Sequence, residues 1–123
     1  MRFTLSLLLL TSPLIAKDFA QSPKLHAKDT QRLHELSADI SGLATLELYV
    51  NDLGNESHDW AAWVNPTFHT KDGQKIPVTK GHIAHAKQAW NDLQINKSVG
   101  GGALTIDGKT YDHALGTHAK STI

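Results

Sequence analysis

The stretch ALTIDGKTYDHALGTHAKSTI, residues 103–123, decides how the chain is read. Its first half turns around Asp107-Gly108, a strong short-range signal for a tight hairpin because both residue types tolerate positive φ. Its second half, residues 116–123, alternates small or apolar with polar side chains, the period of a half-buried strand. Thr117, Ala119, Ser121 and Ile123 would share one face, and His118, Lys120 and Thr122 the other. Gly116 heads that strand, where a missing Cβ permits close backbone approach or an unusual turn. No turn or cap follows Ile123, so the stretch reads as one that ends inside a domain, with open sheet edges expected.

Upstream, the same texture recurs. In LATLELYV, residues 43–50, Leu46, Leu48 and Val50 face one way and Thr45, Glu47 and Tyr49 the other. Turn formers follow at once in NDLGN, residues 51–55. Residues 60–64 form a short apolar segment closed by Asn65 and Pro66. Residues 67–70 and 75–79 flank KDGQ, which predicts a hairpin with Asp72-Gly73 at its tip. Pro77 places the second arm of that hairpin at a sheet edge, since proline cannot donate to a ladder. Leu93 and Ile95 alternate within residues 90–98, and Gly100, Gly101 and Gly102 form a loop. Asp29 is placed to cap a short helix running to about Leu36, with Leu33 and Leu36 on one face. Many short strands, regular turn signals and little helix predict an all-β antiparallel sandwich.

The chain of 123 residues has room for one domain. Met1 and Arg2 precede an apolar run over residues 3–10, and small or apolar residues lead to Ala16, the pattern of a secretory signal peptide at 1–16. The run is too short to span a bilayer, which takes about 20 apolar residues. Residues 17–37 read as a linker and short helix, and 38–123 as the sandwich. The mature chain is therefore expected to be secreted, periplasmic or at the cell surface. It contains no cysteine, which removes disulfides, thiolate metal sites and a cysteine nucleophile from consideration. Twelve basic and 12 acidic residues balance, so no net field attracts nucleic acid or anionic lipid.

Three blocks, ADISGLATLELYVNDLGN, DWAAWVNP and INKSVGGGALTIDGKTYDHALGTHAKSTI, resemble in order and spacing the NPCBM family. This is the carbohydrate-binding module first noticed in family 98 glycoside hydrolases. The resemblance covers residues 38–123, and ALGTHAKSTI is its most specific part. It implies a galactose-binding-like jelly-roll β-sandwich that serves as an accessory module of a larger secreted protein, some members binding galactose-type sugars. It also implies further strands after the Gly-Thr-His-Ala strand, so this chain is expected to be C-terminally truncated. Two positions depart from the family pattern. Ala62 precedes Trp63 where an aspartate is common, and Trp60 follows Asp59 where a histidine is common.

A sugar site needs a flat aromatic for the C–H face of the ring and polar groups aimed at the hydroxyls. Trp60, Trp63, Trp90 and Tyr111 are the candidate platforms. Trp60 and Trp63 are an odd number of residues apart, so on one strand they point to opposite faces. Trp63 is expected in the core, Trp60 as the exposed ring, and Trp90 in core or hairpin packing. His118 fits two roles: a hydrogen-bonding group beside Asp59 in a ligand cleft, or a tie between strands through backbone carbonyls. The candidate carbohydrate-binding residues are thus Asp59, Trp60 and His118. Asn51, Asp52, Asn55 and Asp59 gather hard oxygens of the kind calcium takes, but they match no EF-hand spacing and are ordinary turn residues. His69, His82 and His85 lack a nearby carboxylate and make a poor metal triad. No catalytic triad, nucleophile elbow or phosphate loop stands out, and Asp72 and Asp107 sit at hairpin tips. The expectation is a non-catalytic module with no cofactor, whose partners are a galactose-type carbohydrate and the other domains of a longer parent protein. The alternative is a structural or interaction module with no sugar ligand; a histidine-dependent metalloenzyme is discounted.

Overall fold

The computed structural model describes residues 2–4, 7–12, 15–55 and 57–123. In chain order the strands are β1 (Arg2–Thr4), β2 (Leu7–Ser12), β3 (Ile15–Ala20), β4 (Ala38–Asp39), β5 (Tyr49–Val50), β6 (Trp60–Val64) and β7 (Thr67–His69). They continue as β8 (Lys75–Pro77), β9 (Lys87–Gln88), β10 (Gln94–Ile95), β11 (Leu104–Ile106), β12 (Lys109–Tyr111), β13 (Ala114–His118) and β14 (Ser121–Thr122). A single 3-10 turn, Lys80–His82, lies between β8 and β9. The all-β expectation holds, and every described strand pair is antiparallel.

The strands form sheets in the orders β4-β1-β7-β8, β10-β13-β6 and β5-β14-β9, with two-stranded pairs β11-β12 and β2-β3. Ala38, Ile40, Leu48, Trp63, Val78 and Leu115 make the core between the three larger sheets. Leu46, Val50, Phe68, Ile95 and Ile123 pack against it. Each fully buried side chain of this size contributes roughly 1.5–3 kcal/mol relative to exposure. The β7–β8 hairpin pairs Phe68 with Ile76, turns through Gly73 at φ 87°, and leaves β8 as the outer strand that Pro77 requires. The β11–β12 hairpin pairs Thr105 with Thr110, and Asp107 and Gly108 both take positive φ (51° and 80°) as a two-residue turn demands.

The structure corrects four expectations. Residues 116–123 are not one strand. β13 belongs to the sheet with β6 and β10, and after Ala119 and Lys120 the chain enters β14 between β5 and β9. Nor is β13 half-buried, because all five of its residues are buried. Leu115 faces the core opposite Trp63, while the other face offers only Ala114 and Gly116 below His118, so backbone can lie directly on it. A Cβ on Gly116 would stand 2.1 Å from the Lys97 carbonyl oxygen.

The helix expected from Asp29 to Leu36 is absent, and residues 31–37 run without regular structure. The Asp29 carboxylate accepts the His26 amide at 2.7 Å and the Asp29 amide bonds the His26 carbonyl at 2.9 Å, so Asp29 closes the preceding turn instead of opening a helix. Eight residues with two leucines do not repay helix nucleation on their own. Arg32 instead reaches Asp107 at the β11–β12 tip, with Nε 3.0 Å from the carboxylate, and Leu36 packs on the core. The strand expected through residues 43–50 shortens to β5. Its face pattern survives, since Leu48 is in the core and exchanges both backbone hydrogen bonds with Ile123 at 2.9 and 3.0 Å.

Of the leader expected at 1–16, residues 1, 5, 6, 13 and 14 lie outside the described residues. The backbone of β1 pairs with β4 and β7, and β2 pairs with β3. No described helix is long and apolar enough to cross a membrane.

Candidate functional site

The register of β6 against β13 builds the site. His118 lies directly opposite Trp60, Gly116 opposite Ala62, and Leu115 opposite Trp63. Because side chains alternate along a strand, Trp60 and His118 share the outer face while Trp63 and Leu115 share the core face. Trp63 is 7% exposed and Trp60 is 58% exposed, as their odd separation predicts.

Two loops complete the outer face. Residues 97–99 fold over Gly116, and the next residue, Gly100, meets the tip of the Trp60 indole, where an added Cβ would fall 2.8 Å from Cη2. The segment after β9 carries Trp90 to the same place. The Ala89 amide donates to the Lys120 carbonyl at 3.1 Å, Gln88 Nε2 to the Trp90 carbonyl at 2.8 Å, and Asn91 Nδ2 to the Val99 carbonyl at 2.7 Å. These bonds tie the Trp90 segment to the β13–β14 junction on one side and to the Gly116 cover on the other.

The Trp60 and Trp90 rings stack with centroids 6.1 Å apart and planes within 10°. Trp90 also leans on the His118 ring, at 5.7 Å and 59°. Such pairs contribute about 0.5–1.5 kcal/mol beyond area burial. His118 is 5% exposed, and its Nδ1 bonds the Ala119 carbonyl. A carbonyl can only accept, so Nδ1 carries the proton in this bond and Nε2 is the ring nitrogen left to face the depression. Ser57, His58, Trp60, Ala89, Trp90 and His118 line a depression of about 480 Å³. Trp90 is 49% exposed, which corrects its expected place in core or hairpin packing.

Two of the three sequence-derived site residues, Trp60 and His118, meet in this depression. Asp59 enters through its backbone: its carbonyl accepts the Ala119 amide at 2.9 Å, joining the start of β6 to the end of β13. The other acidic-loop oxygens serve turns. Asn51, Asp52 and Asn55 each accept, through Oδ1, the amide two residues on, at 2.8, 3.0 and 3.0 Å. His82 takes the Thr79 amide on Nδ1 at 2.9 Å and sets its edge against Phe68. Among the described residues, no three His, Cys, Asp or Glu gather in a group that could hold a metal. Tyr111 lies on the β11–β12 hairpin, with the Lys109 ammonium 5.1 Å from its ring, and does not line the depression.

The model of the NPCBM/NEW2 domain matches residues 16–69 and 74–123. The chain belongs to the NPCBM family. The unmatched residues 70–73 are the tip of the β7–β8 hairpin, where length varies at little cost to the sheet. No curated protein and no solved structure matches the chain. The NPCBM family is one of carbohydrate-binding modules, and the outer face of β6 and β13 is where this one combines aromatic surface with polar edges.

Trp90, a candidate platform that the sequence reading placed in core or hairpin packing, belongs to the depression, and so do His58, Ser57 and Ala89, which that reading did not single out. For Trp90 a signal was present: Gln88 and Asp92, two positions either side, are both polar, so no apolar face accompanies the ring. For His58 no sequence signal exists. It reaches the site because its backbone turns at φ 61°, and the Trp60 amide bonds its carbonyl at 2.9 Å.

Proposed function

We propose that this NPCBM module binds galactose-type or related glycans on the Trp60–Trp90 platform of an exported protein, without catalysing a reaction. The observation that carries this reading is the pair of stacked indoles, about half exposed, beside a depression edged by His58, Ser57 and His118. Apolar C–H faces of a sugar pack on indole, and the Ser57 hydroxyl and the imidazoles supply directed hydrogen bonds to its hydroxyls. Export is supported by the apolar start of the chain. The depression draws on no residue before Ser57, so cleavage after Ala16 would leave its lining intact.

The test is calorimetric titration with galactose, methyl galactosides and lactose, followed by a wider glycan panel. Saturable binding is expected, and Trp60→Ala should weaken it at least tenfold, about 1.4 kcal/mol. An interaction module that docks on other domains of a longer protein would use the same exposed tryptophans, because tryptophan is enriched where binding energy concentrates. No binding across the glycan panel would select that second reading.

A further inference from the structure

We infer that the unit recognised by this site is at least a disaccharide, with two linked sugar rings laid across Trp60 and Trp90 together. The inference rests on the carbohydrate reading above and adds the size of the ligand. A sugar clasped between the two indoles would need planes roughly 7–8 Å apart, twice the carbon contact distance of about 3.5–4.0 Å. The observed centroids are only 6.1 Å apart with nearly parallel planes, so the planes lie no farther apart than that and no sugar fits between them.

The ligand must therefore meet the surfaces that the pair turns outward. For planes at the carbon contact distance of about 3.5–4.0 Å, centroids 6.1 Å apart imply a sideways slip of roughly 5 Å. That is two steps of a stair, not one platform, and the step is comparable with the advance from one sugar ring to the next along a glycan. Both steps are open, at 58% and 49% exposure, and each is braced: Trp60 by Gly100, Trp90 by His118. A single pyranose covers one indole and leaves the other in water. The depression of about 480 Å³ also falls in the range of about 300–1,000 Å³ that accepts drug-sized ligands, the class of a disaccharide.

The experiment titrates the full chain with mono-, di- and trisaccharides of three β-1,4-linked series, built from galactose, glucose and xylose. In any series that binds, the disaccharide should bind at least tenfold more tightly than the monosaccharide, and the trisaccharide within about threefold of the disaccharide. Trp90→Ala and Trp60→Ala, each checked for native circular dichroism, should bring the disaccharide close to the affinity of the monosaccharide. Equal affinity for mono- and disaccharide, or an unchanged length dependence in Trp90→Ala, would overturn the two-ring site while leaving carbohydrate binding intact. Binding of no saccharide, in these series or across the wider glycan panel, would overturn the carbohydrate reading, and the inference with it.

Discussion

At the scale of single residues, two glycines hold the site together in different ways. Gly116 faces backbone: an added methyl would meet the Lys97 carbonyl oxygen at 2.1 Å, with Ser98 and Val99 main-chain atoms close behind. Backbone held on a buried strand cannot step aside. Gly116→Ala should therefore cost about 3 kcal/mol or more, the upper end of overpacking effects, read as a lowered urea midpoint. Gly102→Ala is the control, since its nearest contact is Ser98 Oγ at 3.8 Å. Gly100 faces the free end of an exposed indole instead. Gly100→Ala should leave stability within about 1 kcal/mol and act on ligand affinity by displacing Trp60. A Gly100→Ala protein that binds saccharide as tightly as the parent would show that the ring's position does not matter.

At the scale of elements, the β7–β8 turn offers a charge to test. The Thr70 hydroxyl donates to the Asp72 carboxylate and accepts the Gln74 amide at 3.0 Å. That hydroxyl, before any other influence, holds the Asp72 carboxyl below its ordinary pKa. A depressed carboxyl adds stability that is fully present above its unfolded pKa and is lost as pH falls through the folded one. The stability of the parent relative to Asp72→Asn should thus be greatest near neutral pH and shrink in acid; a difference that grew in acid would contradict the assignment. Both hairpins were legible in the sequence because Asp-Gly turn chemistry is local. The break between β13 and β14 was not, since Thr117, Ala119 and Ser121 keep one alternating parity straight through it. Only partners distant in sequence, β6 and β10 for one half and β5 and β9 for the other, divide that run. The same limit applies to the site. Parity separated Trp60 from Trp63, but nothing in the sequence places residues 97–99 over Gly116 or Trp90 beside Trp60. Asp59 was singled out for its carboxylate, and the structure uses its carbonyl.

At the scale of the molecule, residues 114–122 thread two sheets, with β13 central in one and β14 central in the other. Hydrogen exchange should find their amides the slowest in the chain and equal in opening free energy, as members of one cooperative unit. Among the described residues the β11–β12 hairpin has no third strand, and it is held to the rest partly by the half-exposed Arg32–Asp107 pair, of a kind that contributes only about 0–1 kcal/mol. Its amides should exchange earlier; equal protection across both regions would refute this ranking. The tryptophan layout has an optical consequence. Of the three indoles in the chain, Trp63 is sealed in the core and Trp60 and Trp90 stand in water. The buried ring should emit at shorter wavelength than the outer pair. Ligand contact would then dim or shift the red side of the emission while the blue side holds, and unfolding would erase the blue side. Occupancy and integrity of the module become separate colours of its own fluorescence, with no label attached.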